Sequence, residues 1–249
     1  MNDLPRHHVI RESSHRILNP FTPEKLRQLG EALFIPEGAT MLDLACGKGE
    51  MLSTWARDHG ISGTGVDISW SFIQSARERA AELGVGERVT FIHADARDFE
   101  EAERVDIAAC IGATWIGDGV TGTIALLKMS LKPNGIMLIG HPYWRKTPPS
   151  QEAITACGAE QESDWLTLPD LIESMQAHDC DVIEMVLADQ DSWDRYVAAQ
   201  WRTVREFIDA NPDDELTPAF REELATSPVL HAKYQREYLG WGVFALKPR

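Results

Sequence analysis

An alternation of period constrains this chain more than any other feature of its sequence. Short apolar runs at Thr40–Ala45, Gly63–Asp67, Val89–Ala94, Val105–Ile111 and Gly135–Gly140 are separated by segments whose apolar residues recur at helical spacing. Strand, crossover helix and next strand, repeated, imply an α/β fold with a parallel sheet and helices on both faces. Met51, Leu52, Trp55 and Ala56 form the stripe of one helix. Phe72, Ile73, Ala76, Ala80 and Leu83 form the next, which Gly84 stops at C′. Ser71 and Gln74 are expected to box its start. A helix over Thr121–Leu131 runs into the turn Pro133-Asn134-Gly135, and Thr167-Leu168-Pro169-Asp170 opens another.

The ends depart from that rhythm. Asp181–Ala188 and Leu239–Lys247 read as two late strands. Between them Trp193, Tyr196, Val197, Trp201, Val204 and Ile208 recur at helical spacing as far as Asn211-Pro212, and shorter helices are expected after Pro218 and Pro228. Near the start, Thr22 is an N-cap with Pro23 at N1 and Leu26, Leu29 and Leu33 inward. The chain reads as one domain over 1–249. Cap helices occupy 1–39, a ligand-binding core 40–190, a helical cap insertion 191–238 and a last strand 239–249. Both caps are expected over the carboxyl edge of the sheet, where open α/β folds bind ligands, closing a pocket there.

Charge narrows the partners. Lys and Arg total 24 against 39 Asp and Glu, a formal charge of −15. A broad surface for nucleic acid or anionic membrane is not expected. Twelve carboxylates and no Lys or Arg fall between Lys146 and Arg195, which points to neutral or cationic small partners. Four cysteines (Cys46, Cys110, Cys157, Cys180) show no zinc spacing and are too sparse for a disulfide scaffold. No metal, no secretory leader and no membrane span are expected, and the chain is read as cytoplasmic.

The chemistry starts at Met41-Leu-Asp-Leu-Ala-Cys-Gly-Lys-Gly-Glu50, a strand running into a glycine turn and a helix. Gly47 and Gly49 allow positive φ and close approach to a ligand. A dinucleotide fingerprint would need a third glycine where Leu52 stands. Asp43 lies inside the first strand, Asp67 ends the second and Asp95 ends the third. Parallel pairing would bring the three carboxylates to one sheet edge. An acid at the second strand tip accepts from both ribose hydroxyls, one at the third can accept from an adenine amino group, and one at the first can anchor an ammonium. Together they describe a cationic nucleoside with an amino-acid tail.

On these residues the chain resembles the class I S-adenosylmethionine-dependent methyltransferases. Asp43-Leu44-Ala45-Cys46-Gly47-Lys48-Gly49 is similar to their glycine loop, with Ala45 in place of its first glycine. Gly65-Val66-Asp67-Ile68 looks like the ribose-binding strand end, and His93-Ala94-Asp95-Ala96 like the adenine-binding turn. Over its whole length the chain is similar to an uncharacterised bacterial branch of small-molecule methyltransferases. The resemblance implies a Rossmann-like seven-stranded sheet with an antiparallel last strand. It also implies S-adenosylmethionine as cofactor, S-adenosylhomocysteine as product and a small-molecule acceptor. Cofactor contacts are then expected from Asp43, Ala45, Cys46, Gly47, Gly49, Asp67, Ile68, Asp95, Ala96 and Ile111.

The acceptor is expected beyond the fourth and fifth strands. Trp115, Tyr143 and Trp144 are candidate walls, His141 and Tyr143 candidate bases, and His15 a residue hanging over the site with Arg16. Plain packing competes with each of these roles. No Asp/Asn-Pro-Pro-Tyr/Phe follows the fourth strand, which argues against DNA and protein-glutamine methylation. Two other functions stay open, a non-catalytic S-adenosylmethionine sensor and a nicotinamide-dependent oxidoreductase. Oligomeric state is not legible.

Overall fold

The computed structural model describes residues 3–249. Among them seven strands form one sheet: β1 (Thr40–Leu44), β2 (Ser62–Asp67), β3 (Val89–His93), β4 (Val105–Ile111), β5 (Leu131–Trp144), β6 (Cys180–Leu187) and β7 (Leu239–Pro248). Their order is β3-β2-β1-β4-β5-β7-β6, and β7 lies antiparallel between β5 and β6. Strand order reverses between β1 and β4, so the connections leaving these two strands part and open a crevice at their carboxyl ends.

Among the described residues ten α-helices accompany the sheet: α1 (Arg6–Arg11), α2 (Pro23–Ala32), α3 (Glu50–His59), α4 (Trp70–Glu82), α5 (Val120–Met129), α6 (Gln151–Ala156), α7 (Leu168–Gln176), α8 (Gln190–Ala210), α9 (Thr217–Leu230) and α10 (Arg236–Tyr238). Alternation along the strands feeds two cores. Met41, Ile107, Leu138 and Val243 meet Leu29, Trp55 and Ile73 of α2, α3 and α4 on one face. Leu42, Ala108, Met137 and Phe244 meet Ile124, Leu127 and Leu171 of α5 and α7 on the other. Among the described residues no helix is long and apolar enough to cross a membrane.

Several local signals act as expected. Thr22 accepts from the Lys25 N–H and Thr167 from the Asp170 N–H as N-caps, and Gly84 follows α4 at φ 68°. Others do not. Ser69, not Ser71, precedes α4, and no side chain caps that end. Leu131 already pairs with Val105, so β5 takes in the Pro133–Gly135 turn as an irregularity of register. Pro228 starts no helix. It lies inside α9, which runs on through a π-helical turn (His231–Gln235) into α10. Proline in a helix interior costs the bond to residue i−4, here Leu224, yet the helix continues.

The caps also differ from expectation in how they stack. Residues 12–19 form a strap across the glycine loop after β1. The Lys48 ammonium, 7% exposed, donates to the carbonyls of Glu12 (2.7 Å), Ser13 (2.9 Å) and His15 (2.7 Å). Burial lowers its pKa to about 8. The α8–α9 unit then backs the strap. Glu12 Oε1 accepts from the Tyr196 hydroxyl (2.8 Å) and Gln200 Nε2 (2.6 Å), and Ser14 bonds Thr203. Burial opposes the charge on Glu12, yet His15, Tyr196 and Gln200 hold its carboxyl below the usual range. Arg6 and Arg11 of α1 make bidentate pairs with Asp214 and Glu223.

Replacing Lys48 by Met leaves three carbonyls short of a donor, a local cost of about 1–3 kcal/mol. Amide hydrogen exchange of K48M should speed up in residues 6–19 while β1 and β4 stay protected. Unchanged exchange there would show that the strap does not depend on Lys48.

Candidate functional site

A cavity of about 160 Å³ opens to solvent at the crevice between β1 and β4, where open α/β sheets bind their ligands. The β1–α3 loop supplies its floor with Asp43, Ala45, Cys46, Gly47 and Lys48, and Asp67 closes one side. Ile111 and Trp115 come from the end of β4 and the turn after it. The strap, α2 and β7 add an apolar wall of Ile17, Leu18, Phe21, Leu26, Leu29 and Val243.

Parallel register arranges the three acids as a staircase. Asp43 pairs with Gly65, so Asp67 lies two residues further along; Asp67 pairs with His93, so Asp95 lies two further again. At about 3.3 Å per residue each step is roughly 7 Å. Asp67 is 5% exposed and organises the turn. Its Oδ2 accepts from the Gly47 N–H and its Oδ1 from the Ser69 N–H, both at 2.8 Å. Burial raises its pKa, and these two donors pull against that. Each oxygen keeps a lone pair for a ligand hydroxyl.

Asp43 is 2% exposed and lines the cavity, and its Oδ1 has no hydrogen-bond partner. Burial, with Asp67 nearby, pushes its pKa to about 8. A buried, unpaired carboxyl beside a cavity is the place for a cationic donor.

The loop backbone carries real constraint. Ala45, Gly47 and Gly49 have φ of 63°, 55° and 68°. Ala45 is therefore held left-handed, a conformation that costs a non-glycine residue roughly 1–2 kcal/mol. A Cβ on Gly49 would lie 2.6 Å from the Phe91 ring and 2.8 Å from the Ala76 Cβ. On Gly47 it would meet only the mobile end of Leu18, at 2.8 Å.

The other expected residues fall into three groups. Ile68, Gly49, Asp95 and Ala96 stand at the same sheet edge outside the cavity lining. The Ile68 carbonyl accepts from His93, and Asp95 Oδ1 from the Arg97 N–H. Tyr143 and Trp144 do not line this cavity. Tyr143 is buried against Gly240 and Trp144 against Trp165, because β5 continues past the cavity into packing on β7 and α6. His141 also lies off the cavity. Its Nδ1 is 2.9 Å from Thr114 Oγ1, and burial lowers its pKa to about 4, which makes it a weak base. His15 is a strut. Its ring bonds the Tyr196 carbonyl and faces Glu12.

No residue between Ile116 and Gly242 lines the cavity. Neither the acidic run nor the 191–238 insertion therefore touches it, and the insertion acts one layer out, through the strap. Cavity residues that patterning missed include His8, Leu18, Phe72 and Val243. Nothing local marks them, since their role follows from tertiary placement. Among the described residues no group of three or more His, Cys, Asp or Glu could hold a metal ion, and all four cysteines are free.

Known proteins give independent findings. The sequence model of a family described as "Methyltransferase domain" matches residues 41–135. The chain is 54% identical to the uncharacterized protein YjhP of Escherichia coli K12, over 99% of this chain and 100% of that protein. It is similar to the crystal structure of an S-adenosylmethionine-dependent methyltransferase from Geobacter sulfurreducens in complex with S-adenosylhomocysteine. That match has a TM-score of 0.98 and 57% identity, and it covers both chains fully. A counterpart from Thiobacillus denitrificans, also in complex with S-adenosylhomocysteine, matches with a TM-score of 0.97 and 56% identity over the whole of both chains.

Two outcomes follow from the loop and from Asp43. Gly49→Ala should lower the melting temperature far more than Gly47→Ala, by about 3 kcal/mol in stability, because ring and backbone must both give way. Equal effects would refute the packing argument. Asp43 is protonated in the folded chain up to pH about 8, while an unfolded aspartate ionises near pH ~3.9. Folding thus takes up a proton between these values, and stability falls as pH rises through that window. The advantage of Asp43→Asn over wild type, without ligand, should grow by a few degrees in melting temperature from pH ~5 to pH ~8. A gap that does not widen would contradict a protonated Asp43.

Proposed function

The chain belongs to the class I S-adenosylmethionine-dependent methyltransferases, and we propose that its acceptor is a small, uncharged, largely apolar molecule methylated inside the β1–β4 cavity. The observation that carries this reading is the cavity wall itself. Ile17, Phe21, Leu26, Leu29, Ile111 and Val243 face the space left beside the acidic floor. The twelve-acid run contributes nothing to that lining. That favours a neutral acceptor over a cationic one.

The residues present fit the cofactor. Its α-ammonium suits the unpaired oxygen of Asp43, and its ribose hydroxyls suit the lone pairs left on Asp67. We assign Asp95 to the adenine amino group, with Ile68 and Ala96 beside the ring. Ala45, Cys46, Gly47 and Gly49 bring the loop backbone close. When bound, S-adenosylmethionine supplies a methyl carbon already activated by its sulfonium, so the protein's task is alignment. Trp115, 65% exposed at the cavity, offers a face that attracts the sulfonium and covers the acceptor. The proposal asks no proton transfer of His141 or Tyr143. Lys48 and the strap exclude water by closing the top of the loop.

Thermal shift and label transfer test this. S-adenosylhomocysteine should raise the melting temperature, NAD should not, and Asp67→Ala should abolish the rise. With methyl-labelled S-adenosylmethionine and a fractionated metabolite extract, label should appear in neutral small molecules. Label confined to anionic metabolites, nucleic acid or protein would overturn the acceptor assignment.

A further inference from the structure

We propose that the guanidinium of Arg16 binds the α-carboxylate of the cofactor's methionine tail. This rests on the cofactor placement argued above, with the ammonium at Asp43 and the ribose at Asp67. A carboxylate enclosed in that cavity needs a cation or several donors, because burying it unpaired is expensive.

Three side chains of basic type line the cavity, His8, Arg16 and Lys48. Burial lowers the His8 pKa below its ordinary value, so its ring is neutral at neutral pH. Lys48 has three N–H donors, and all three are spent on the carbonyls of Glu12, Ser13 and His15. Arg16 is different. Its nearest acids are Glu50 at 3.9 Å and Glu82 at 3.8 Å, beyond hydrogen-bond reach. The Glu50 carboxylate is already engaged at both oxygens by Arg79, at 2.8 and 2.9 Å. Arg16 thus stands at the cavity with two loose ion pairs and, among the described residues, no hydrogen bond from its guanidinium. A planar fork of this kind suits a carboxylate through two parallel bonds. The start of α3, where Gly49 offers no side-chain cap, adds its positive end to the same loop.

Arg16 is half-exposed on the strap, and its replacement removes no packed core group. It would be a positioning residue for the cofactor, fixing the tail so that the sulfonium points toward Trp115 and Ile111. The strap would then close in part on the cofactor itself.

The test is calorimetric binding of two ligands to wild type, Arg16→Gln and Arg16→Lys. One ligand is S-adenosylhomocysteine. The other is S-adenosyl-3-thiopropylamine, the same molecule without its carboxylate. Arg16→Gln should weaken S-adenosylhomocysteine by about 10- to 100-fold, leave the decarboxylated ligand within about twofold of wild type, and so erase the preference between them. Arg16→Lys should restore part of that preference. Equal weakening of both ligands would assign Arg16 a purely structural role, and no weakening of either would remove it from the site; each result overturns the proposal. Wild type that binds S-adenosylhomocysteine but shows no preference would overturn it while leaving the cofactor reading intact. Wild type that binds neither would overturn both.

Discussion

One buried ammonium joins the parts of this molecule that make a site. Lys48 sits in the glycine loop, between the two glycines that give the loop its shape, and its three donors end on the strap. The loop therefore cannot be described apart from residues 12–15, nor the strap apart from the α8 residues that hold Glu12. An ammonium with its hydration replaced by three carbonyl oxygens tolerates little displacement, since losing any of them leaves charge or dipole unpaired. That constraint turns an open sheet edge into an enclosed cavity.

The acidic floor follows a different logic. Asp67 is satisfied by two backbone N–H groups and is thereby rigid, a template for the turn as well as a ligand acceptor. Asp43 is left with an oxygen that finds no partner and a pKa near 8. The two carboxyls lie close enough for one to raise the other's pKa, and their environments push them apart in role. One is organised before any ligand arrives. The other is poised to exchange its proton for a cation.

Much of this was legible from residue order. Strand positions, the glycine loop and the three acids depend on local periodicity and on the in-register pairing of parallel strands, which a sequence expresses directly. The helix caps at Thr22 and Thr167 are equally local. What the sequence hid was long-range. Tyr143 and Trp144 follow a motif strand and look like pocket aromatics, but β5 runs past the cavity and buries them. Pro228 reads as a start signal, yet it lies inside α9, which began at Thr217. Leu18, His8 and Val243 reach the cavity from opposite ends of the chain, and no spacing rule brings them together. The acid-rich run from Glu152 to Asp194 is conspicuous in composition and lies away from the cavity.

The ion pairs from α1 to Asp214 and Glu223 span more than two hundred positions in sequence. Ribosomal synthesis delivers the strap first and its anchors last. A nascent chain can pair β1, β2 and β3 while still being made, but the strap gains its α8 and α9 backing only later, and β6 must wait for β7 before it can join the sheet. The cavity accordingly draws its last wall residue, Val243, from the last strand, whereas the glycine loop at its floor comes from the first. Fragments arrested before residue 239 would lack Val243 of the cavity wall and Trp241, whose ring packs on Phe21. The acidic floor is thus written in the first hundred residues and part of its apolar wall in the last strand.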